Sequence, residues 1–190
     1  GRPAHNPIIV HVASLDMAKR CVADWPALAG RLAQAFWPGP LTLVLPRAKE
    51  IPGVVTAGGV TVGVRWPNHA LIQAVIRECG FPLAAPSANP ANRVSPTVAE
   101  HVRKHLGDKI RLIVDGGPAQ IGIESTVLDI TVSPPRLLRP GMIHEQALLA
   151  VTGELAVGDS RSLEVLRSPG LLRKHYSPKA KLVVWSWRDE

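Results

Sequence analysis

Five small polar or cationic residues lie at the ends of the stretches that we predict to be β-strands, and together they could bind a small anionic molecule. They are Arg65, Ser87, Asn89, Ser125 and Arg139. Ligand crevices of open α/β sheets form at strand ends, where arginines supply paired donors to carboxylate or phosphate and hydroxyls add uncharged hydrogen bonds. The set suits a small anionic substrate held beside a polyphosphate. Helix capping and turn formation explain Ser87 and Asn89 equally well.

Two other groupings carry weaker signals. His101 and His105 lie four residues apart on a predicted helix, as zinc ligands do, but two cationic residues between them would repel a metal, so we expect a solvated helix face. Residues 115–118 (Asp-Gly-Gly-Pro) could cradle an anion, although a tight turn is the simpler interpretation. No GxxxxGK[ST], GxGxxG or GxSxG motif occurs, and neither Cys21 nor Cys79 has an activating neighbourhood. Any nucleotide site must therefore be built differently.

Length and composition indicate a folded domain with anionic partners. The chain has 190 residues, of which 46% are hydrophobic and 19% charged, which excludes a disordered tail. Its 22 Lys and Arg against 15 Asp and Glu give a net charge of +7, which favours nucleic acid, nucleotides or phosphorylated substrates. Only 4% aromatic residues argues against a base-stacking platform. Without an apolar leader, a membrane-length apolar run or a cysteine framework, we expect a soluble, cytoplasmic protein.

Strand and helix patterns alternate along the chain, which predicts a mixed α/β domain. We predict strands at 7–13, 41–45, 59–65, 82–85, 109–115, 125–131 and 137–139. We predict helices from Ser14 to Val22, from Asp24 to Phe36, from Asn68 to Cys79, from Ser95 to Gly107 and from Ile143 to Val151. Residues 1–152 would form one unit with at least six strands, 153–179 a linker, and 180–190 the start of a truncated second domain.

Several short motifs occur in the order that they have in one known family. They are residues 1–3 and 6–11, similar to the end of a KxR motif and the strand after it; 37–42 (Trp-Pro-Gly-Pro-Leu-Thr); 62–67 (Val-Gly-Val-Arg-Trp-Pro); 85–89 (Ala-Pro-Ser-Ala-Asn), an SxN motif; 124–127 (Glu-Ser-Thr-Val); and 138–141 (Leu-Arg-Pro-Gly). Together they resemble the YrdC/Sua5 family, the threonylcarbamoyl-AMP synthases of tRNA modification. Residues 168–170 and 174–178 look like the linker of the two-domain Sua5 form. The resemblance implies a YrdC-like twisted mixed sheet, flanked by helices, with a concave basic pocket.

The resemblance also implies a reaction in which L-threonine, bicarbonate and ATP give threonylcarbamoyl-AMP and pyrophosphate. The threonine nitrogen captures bicarbonate or carbon dioxide, and the carbamate attacks the α-phosphate of ATP, with Mg²⁺ on the phosphates and no tightly held cofactor. Partner transferase proteins then move the threonylcarbamoyl group to N6 of an adenosine in tRNA. Attack of one anion on another needs cationic walls, which the arginines named above would supply.

Roles for particular residues follow from the same resemblance. The ATP contacts would be Arg2, Asn6, Thr61, Ser87, Ser95, Arg139 and Tyr176. The threonine contacts would be His11, Arg65, the backbone at Ala85, and Ser125. The catalytic residues would be Arg2, Ser87 and Asn89, and Ser87 with Asn89 would bind the triphosphate. Without the motifs, His11 would be taken as a core histidine, Ser95 as a helix cap and Tyr176 as part of a plain spacer, whereas the resemblance makes Tyr176 a lid over the pocket.

Two features of the family pattern fall before residue 1. These are the lysine of the KxR motif and a strand and loop with a threonine that helps to bind the amino acid, so this chain by itself could be inactive. Two alternatives stay open. One is an RNA-binding YrdC-like module without catalysis, whose affinity would rest on phosphate contacts. The other is the carbamoyl-adenylate-handling domain of a hydrogenase-maturation protein.

Overall fold

A seven-stranded mixed sheet forms the centre of the part of the chain that the computed structural model describes, which is residues 6–91 and 93–157 with Pro169 and Val183. The strands are β1 (Val10–His11), β2 (Leu41–Pro46), β3 (Thr61–Arg65), β4 (Leu83–Ala84), β5 (Thr126–Asp129), β6 (Arg136–Arg139) and β7 (Ala156–Val157). Their order across the sheet is β4-β1-β3-β2-β5-β6-β7. The pairs β1–β3, β2–β5 and β6–β7 are parallel, and β1–β4, β2–β3 and β5–β6 are antiparallel.

Helices accompany the sheet and confirm the mixed α/β class. They are α1 (Leu15–Arg20), α2 (Ala27–Phe36), α3 (Ala70–Cys79), α4 (Ala99–Leu106) and α5 (Glu145–Thr152), with a 3₁₀ turn at Gly107–Lys109. The predicted cap of α1 is confirmed, because Ser14 Oγ accepts a hydrogen bond from the Met17 N–H at 3.1 Å. Gly80 ends α3 with a φ of +72°, a conformation that favours glycine.

One face of the sheet packs on the main hydrophobic core. Leu41, Leu43 and Leu45 of β2 are fully buried there, together with Leu32 of α2 and Leu148 of α5. Helices α2 and α5 also pack against each other. Alternate residues of a strand point to opposite faces, so Thr42 and Val44 of β2 lie on the face opposite its leucines.

The second face carries polar residues of the predicted site. Val64 of β3 is buried in the main core, so Thr61 and Arg65 lie on the other face. Gly63 lies between them, and a Cβ added there would approach Thr42 Cγ2 to 3.2 Å. Any larger side chain at this position would therefore push into the neighbouring strand on the site face.

The predicted strand at 109–115 is wrong. After the 3₁₀ turn, this segment runs without a strand partner among the described residues. Its alternating apolar side chains Ile110, Leu112 and Val114 are 38%, 76% and 56% exposed. A strand needs a neighbour for its N–H and C=O groups, and the periodicity of the sequence cannot show whether one is present.

Several predicted boundaries also differ from the structure. Helix α3 starts after His69 instead of Asn68, and α4 starts after Val98 instead of Ser95; neither has a side-chain cap. The stretch 7–13 is paired only at β1, because the residues before Val10 are irregular. Strand β7 lies inside the predicted linker and pairs with β6. The rest of that linker except Pro169, and the predicted second domain except Val183, lie outside the described residues.

Candidate functional site

The topology brings several strand ends to one edge of the sheet. Parallel pairing of β1 and β3 places His11 beside Arg65. Because β2 is antiparallel to β3, its first residue lies at the same edge, and the start of β5 is hydrogen-bonded there through the Thr126 N–H and the Pro40 carbonyl, at 2.9 Å. The antiparallel β6 ends at this edge with Arg139.

A cavity of about 280 Å³ opens at this edge. Six of the predicted site residues line it: His11, Arg65, Ala85, Ser87, Ser125 and Arg139. A second cavity of about 220 Å³ adjoins it and shares Ser87 and Glu124 with it. Ser95 lines this second cavity. The two spaces therefore form neighbouring compartments with a common wall.

Arg65 is held in the cavity by the turn that precedes β2. Its Nε–H donates to the Gly39 carbonyl at 3.0 Å, and the Gly39 N–H donates to the Trp66 carbonyl at 2.8 Å. Burial lowers the pKa of Arg65, nearby Glu124 opposes this, and Arg139 adds to it. The guanidinium still keeps its charge at neutral pH, since an arginine is not deprotonated in proteins. The cavity thus has a fixed positive charge on this wall.

Arg139 of β6 is hydrogen-bonded to Ser125, directly before β5, and through Ser125 it is linked to β2. It is 8% exposed, and it donates through Nε to the Ser125 carbonyl at 3.0 Å and through Nη2 to Ser125 Oγ at 2.9 Å. Ser125 Oγ lies 2.8 Å from Thr42 Oγ1 on β2. The Nη1 group of Arg139 donates to the Pro169 carbonyl at 3.1 Å. The chain after Arg139 packs closely on the start of β5 at Gly141, where a Cβ would lie 2.4 Å from the Thr126 nitrogen.

His11 adds an uncharged polar group to the wall. Burial, and then the positive charge of Arg65, lower the pKa of His11 from 6.5 to about 4, although the carbonyl groups of Leu83 and Ile9 partly offset this. Its Nδ1 is buried and makes no hydrogen bond in this structure. The imidazole is therefore neutral at physiological pH and can donate or accept a hydrogen bond.

The loop after β4 forms the wall shared with the second cavity. Its backbone is fixed where the Ala85 N–H donates to the Ile9 carbonyl at 3.2 Å. Asn89 does not line either cavity; its side-chain amide donates to the Arg93 carbonyl at 2.6 Å and closes the loop. The Ser95 hydroxyl donates to Glu124 Oε1 instead of capping α4, so the interpretation of Ser95 as a cap is wrong.

The remaining predicted site residues lie elsewhere. Thr61 is on the same sheet face as Arg65 but at the opposite end of β3, and Asn6 is buried outside the cavity lining. Arg2 and Tyr176 lie outside the described residues. Their proposed contacts with ATP stay predictions.

The two weaker sequence signals have structural explanations. The Gly117 N–H donates to Asp115 Oδ1 at 2.9 Å in a turn where Gly117 has a φ of +86°, which confirms the tight-turn interpretation. Helix α4, which carries His101 and His105, has no buried residue, which confirms the solvated face. Among the described residues, no group of three His, Cys, Asp or Glu side chains could hold a metal ion.

Sequence reasoning missed Glu124 and Thr42 as site residues. Glu124 lines both cavities and lies 3.9 Å, through Oε2, from Arg139 Nη2. A site for anions predicts cationic walls and no carboxylate; the available signal for Glu124 was its position directly before Ser125 in the motif 124–127. Thr42 lies within the apolar strand β2. The available signal was its place in the alternation, which puts it on the sheet face opposite the leucines.

Comparison with known proteins shows the family of this chain. A family model described as "Sua5_yciO_yrdC: Telomere recombination" matches residues 1–141. The chain is 43% identical over 187 residues to the threonylcarbamoyl-AMP synthase of Pyrococcus abyssi and 46% identical over 187 residues to that of Bacillus subtilis. These matches cover 97% of this chain and 55% and 54% of the relatives, so the chain spans about half the length of the curated relatives it matches.

Among solved structures, the chain is similar to the P. abyssi Sua5 protein complexed with L-threonine. The TM-score is 0.91 at 43% identity, over 95% of this chain and 54% of that chain. The fold thus defines an α/β protein of the YrdC-like class. More specifically, the chain belongs to the Sua5/YciO/YrdC family, as the motifs predicted.

Proposed function

We propose that this protein is an enzyme, a nucleotidyltransferase that forms threonylcarbamoyl-AMP and pyrophosphate from L-threonine, bicarbonate and ATP. The product would serve the synthesis of N6-threonylcarbamoyladenosine in tRNA by downstream transferases. The observation that carries the proposal is the convergence of Arg65 and Arg139 on one cavity with Ser125 and a neutral His11. The names of the relatives and the threonine complex of the P. abyssi protein support the same conclusion.

Threonine would occupy the cavity of about 280 Å³, which lies just below the usual range for ligand sites, about 300–1,000 Å³, and suits a small amino acid. Arg65 is anchored by Nε, which leaves its two terminal nitrogens for a forked hydrogen bond to the substrate carboxylate. Neutral His11 would contact the amino acid without repelling its ammonium group. Ser125 Oγ and the backbone at Ala85 would supply the remaining polar contacts.

ATP would place its phosphates along the wall between the two cavities. Ser87 lines both cavities and Ser95 lines the second, so their hydroxyls are available at this boundary. Arg139 would bring positive charge close to the reacting phosphate. Thr61, Asn6, Asn89, Arg2 and Tyr176 remain proposed ATP contacts that rest on the family motifs.

The chemistry would consist mainly of positioning and charge stabilisation. The carbamate and the α-phosphate are both anionic, so their approach costs electrostatic free energy that Arg65 and Arg139 would offset. The two guanidinium groups are fixed by hydrogen bonds to Gly39 and Ser125 before any substrate arrives. Little reorganisation would therefore accompany the reaction.

Magnesium would enter with the nucleotide. The described residues contain no cluster of three acidic, histidine or cysteine side chains that could hold a metal ion by themselves. They do not fit a magnesium site built by protein side chains, and the steps above do not use one. We propose that the triphosphate supplies the ligands for Mg²⁺, which keeps several waters in such sites.

The direct test is product detection. The full-length natural protein, incubated with L-threonine, bicarbonate and MgATP, should produce threonylcarbamoyl-AMP, which mass spectrometry identifies. Arg65→Ala should lower kcat/KM for threonine by roughly 100-fold, since removing a charged hydrogen-bonding partner costs about 2–5 kcal/mol. The matched control Arg31→Ala changes an exposed arginine of α2 and should have no effect. Absence of product, or unchanged pyrophosphate release by Arg65→Ala, would contradict the proposal.

We also propose the cytoplasm as the location of the protein. Cys21 and Cys79 are both free thiols, as is usual in a reducing compartment. No helix in the described ranges has the length and apolar character that a membrane crossing requires.

A further inference from the structure

Glu124 is a carboxylate in a cavity whose other described charged side chains are arginines. Arg65 and Arg139 both line the same space, and the charges of Glu124 and Arg65 are close enough for the carboxylate to raise the pKa of the guanidinium. A site that binds only anions gains nothing from a negative wall. The presence of Glu124 therefore indicates that the ligand carries a positive group as well.

The carboxylate is held in a fixed position but stays accessible. Its Oε1 accepts a hydrogen bond from the Ser95 hydroxyl, and its Oε2 lies 3.9 Å from Arg139 Nη2. The side chain is 29% exposed and faces both cavities. Each carboxylate oxygen has two lone pairs, so a carboxylate can accept hydrogen bonds from several donors at once.

A free amino acid has the charge pattern that these walls complement. Its carboxylate would bind Arg65, and its α-ammonium group then needs an anionic acceptor nearby, because Arg65 and Arg139 repel it. An ammonium nitrogen has no lone pair and cannot attack bicarbonate until it loses a proton. A base next to the ammonium group would meet both needs.

We propose that Glu124 binds the α-ammonium group of threonine and accepts its proton as the nitrogen attacks bicarbonate. This inference rests on the proposed function and deepens it. The proton passes from the ammonium group to the Glu124 carboxylate, and the amine nitrogen forms a bond to the bicarbonate carbon. A second proton moves from the nitrogen to the hydroxyl oxygen of bicarbonate, this C–O bond breaks and water leaves, which gives the carbamate. Threonine ammonium, bicarbonate and the carboxylate thus yield carbamate, water and the protonated glutamic acid.

A purely structural role for Glu124 predicts different behaviour. If the carboxylate only holds Ser95 and Arg139, its replacement should weaken ATP and threonine binding together and should not depend on the amino group of the ligand. The test therefore compares L-threonine with 3-hydroxybutyrate, which is threonine without its amino group. Calorimetry on the full-length natural protein measures both dissociation constants.

The wild-type protein should bind threonine at least about tenfold more tightly than 3-hydroxybutyrate, as expected for one hydrogen bond between charged groups. Glu124→Gln keeps the shape and an acceptor for Ser95, and it should reduce this preference to about threefold or less. Glu124→Asp retains the charge and should restore most of the preference. The exposed Glu100→Gln should leave it unchanged.

The pH dependence provides a second readout. In Glu124→Gln, kcat/KM for threonine should rise more steeply with pH than in the wild type. The variant lacks the base, so its rate depends on the fraction of threonine that already has a free amine, and this fraction grows with pH. A preference within about twofold of the wild-type value, or superimposable pH profiles, would overturn the inference. If the wild type makes threonylcarbamoyl-AMP under these conditions, the proposed function survives that result. If the wild type neither binds threonine nor makes the adenylate, that result contradicts both the proposed function and the inference about Glu124.

Discussion

His11 shows how two neighbours set the protonation of one side chain. Its ring is mostly buried at the end of β1, beside the guanidinium of Arg65 on β3. Both surroundings disfavour the imidazolium form, and burial has the larger effect. A neutral imidazole beside a bound ammonium group avoids a repulsion that a protonated one would create.

This protonation predicts how stability changes with pH. The pKa of His11 is about 4 in the folded protein and 6.5 when the environment does not shift it. Between these values the unfolded chain binds more protons, so the free energy of unfolding falls as the pH is lowered from 6.5 and levels off below about 4. The loss is on the order of 3 kcal/mol.

His11→Gln should remove this part of the pH dependence. Urea denaturation at about pH 7.5 and about pH 4 measures the free energy of unfolding in each condition. The difference between the two pH values should shrink in His11→Gln and stay at its wild-type size in the exposed control His105→Gln. An unchanged difference in His11→Gln would show that other groups cause the acid sensitivity.

At the scale of elements, the turn between α2 and β2 positions the cavity's cationic wall. Trp37 Nε1 donates to the Leu41 carbonyl at 2.7 Å, which holds the turn against the start of β2. Gly39 then presents its carbonyl to Arg65 Nε. A Cβ at Gly39 would lie 2.2 Å from the Phe36 carbonyl oxygen, a contact that only a shift of the backbone can relieve.

Gly39→Ala should therefore destabilise the fold by about 1–3 kcal/mol or more and displace Arg65. Thermal melting should show the loss of stability, and the KM for threonine should rise through the misplaced guanidinium. Gly53→Ala is the matched control, since a Cβ there meets nothing within 4 Å. Equal melting temperatures for the two variants would show that the turn adapts without cost.

The same elements show what a sequence can predict. Strand β2 and helix α2 were predictable because their apolar residues repeat with the period of a strand or helix, and the turn residues Pro38 and Gly39 separate them. The segment 109–115 has equally clear alternation and is not a strand, because pairing depends on a neighbouring strand, which can come from any part of the chain. Glu124 was missed for a similar reason: its role depends on Arg65 and Arg139, which are distant in sequence.

At the scale of the whole molecule, the net charge of +7 allows either a nucleotide site or a surface that binds RNA. The two differ in how charge is used. A cavity with fixed arginines binds one small ligand at saturation, whereas a basic surface binds through many exposed phosphate contacts and releases counterions. The buried Arg139 and the largely enclosed Arg65 favour the first.

Calorimetric titrations should separate these possibilities. ATP should bind saturably, and more tightly when threonine is present. Affinity for double-stranded RNA should be weak and should fall steeply between about 50 mM and about 200 mM salt. Tight RNA binding without any affinity for ATP would favour the RNA-binding module instead.

The bonds that link Thr42, Ser125 and Arg139 make strands that are far apart in the chain share one small set of polar contacts. A ligand bound to Arg139 would therefore stabilise all of the strands that these hydrogen bonds connect. Its binding energy would oppose the opening of any of these strands, so saturation at 100 times the dissociation constant would raise the free energy of unfolding by about 2.7 kcal/mol. The rise in melting temperature on adding a small molecule thus reports whether the protein binds it.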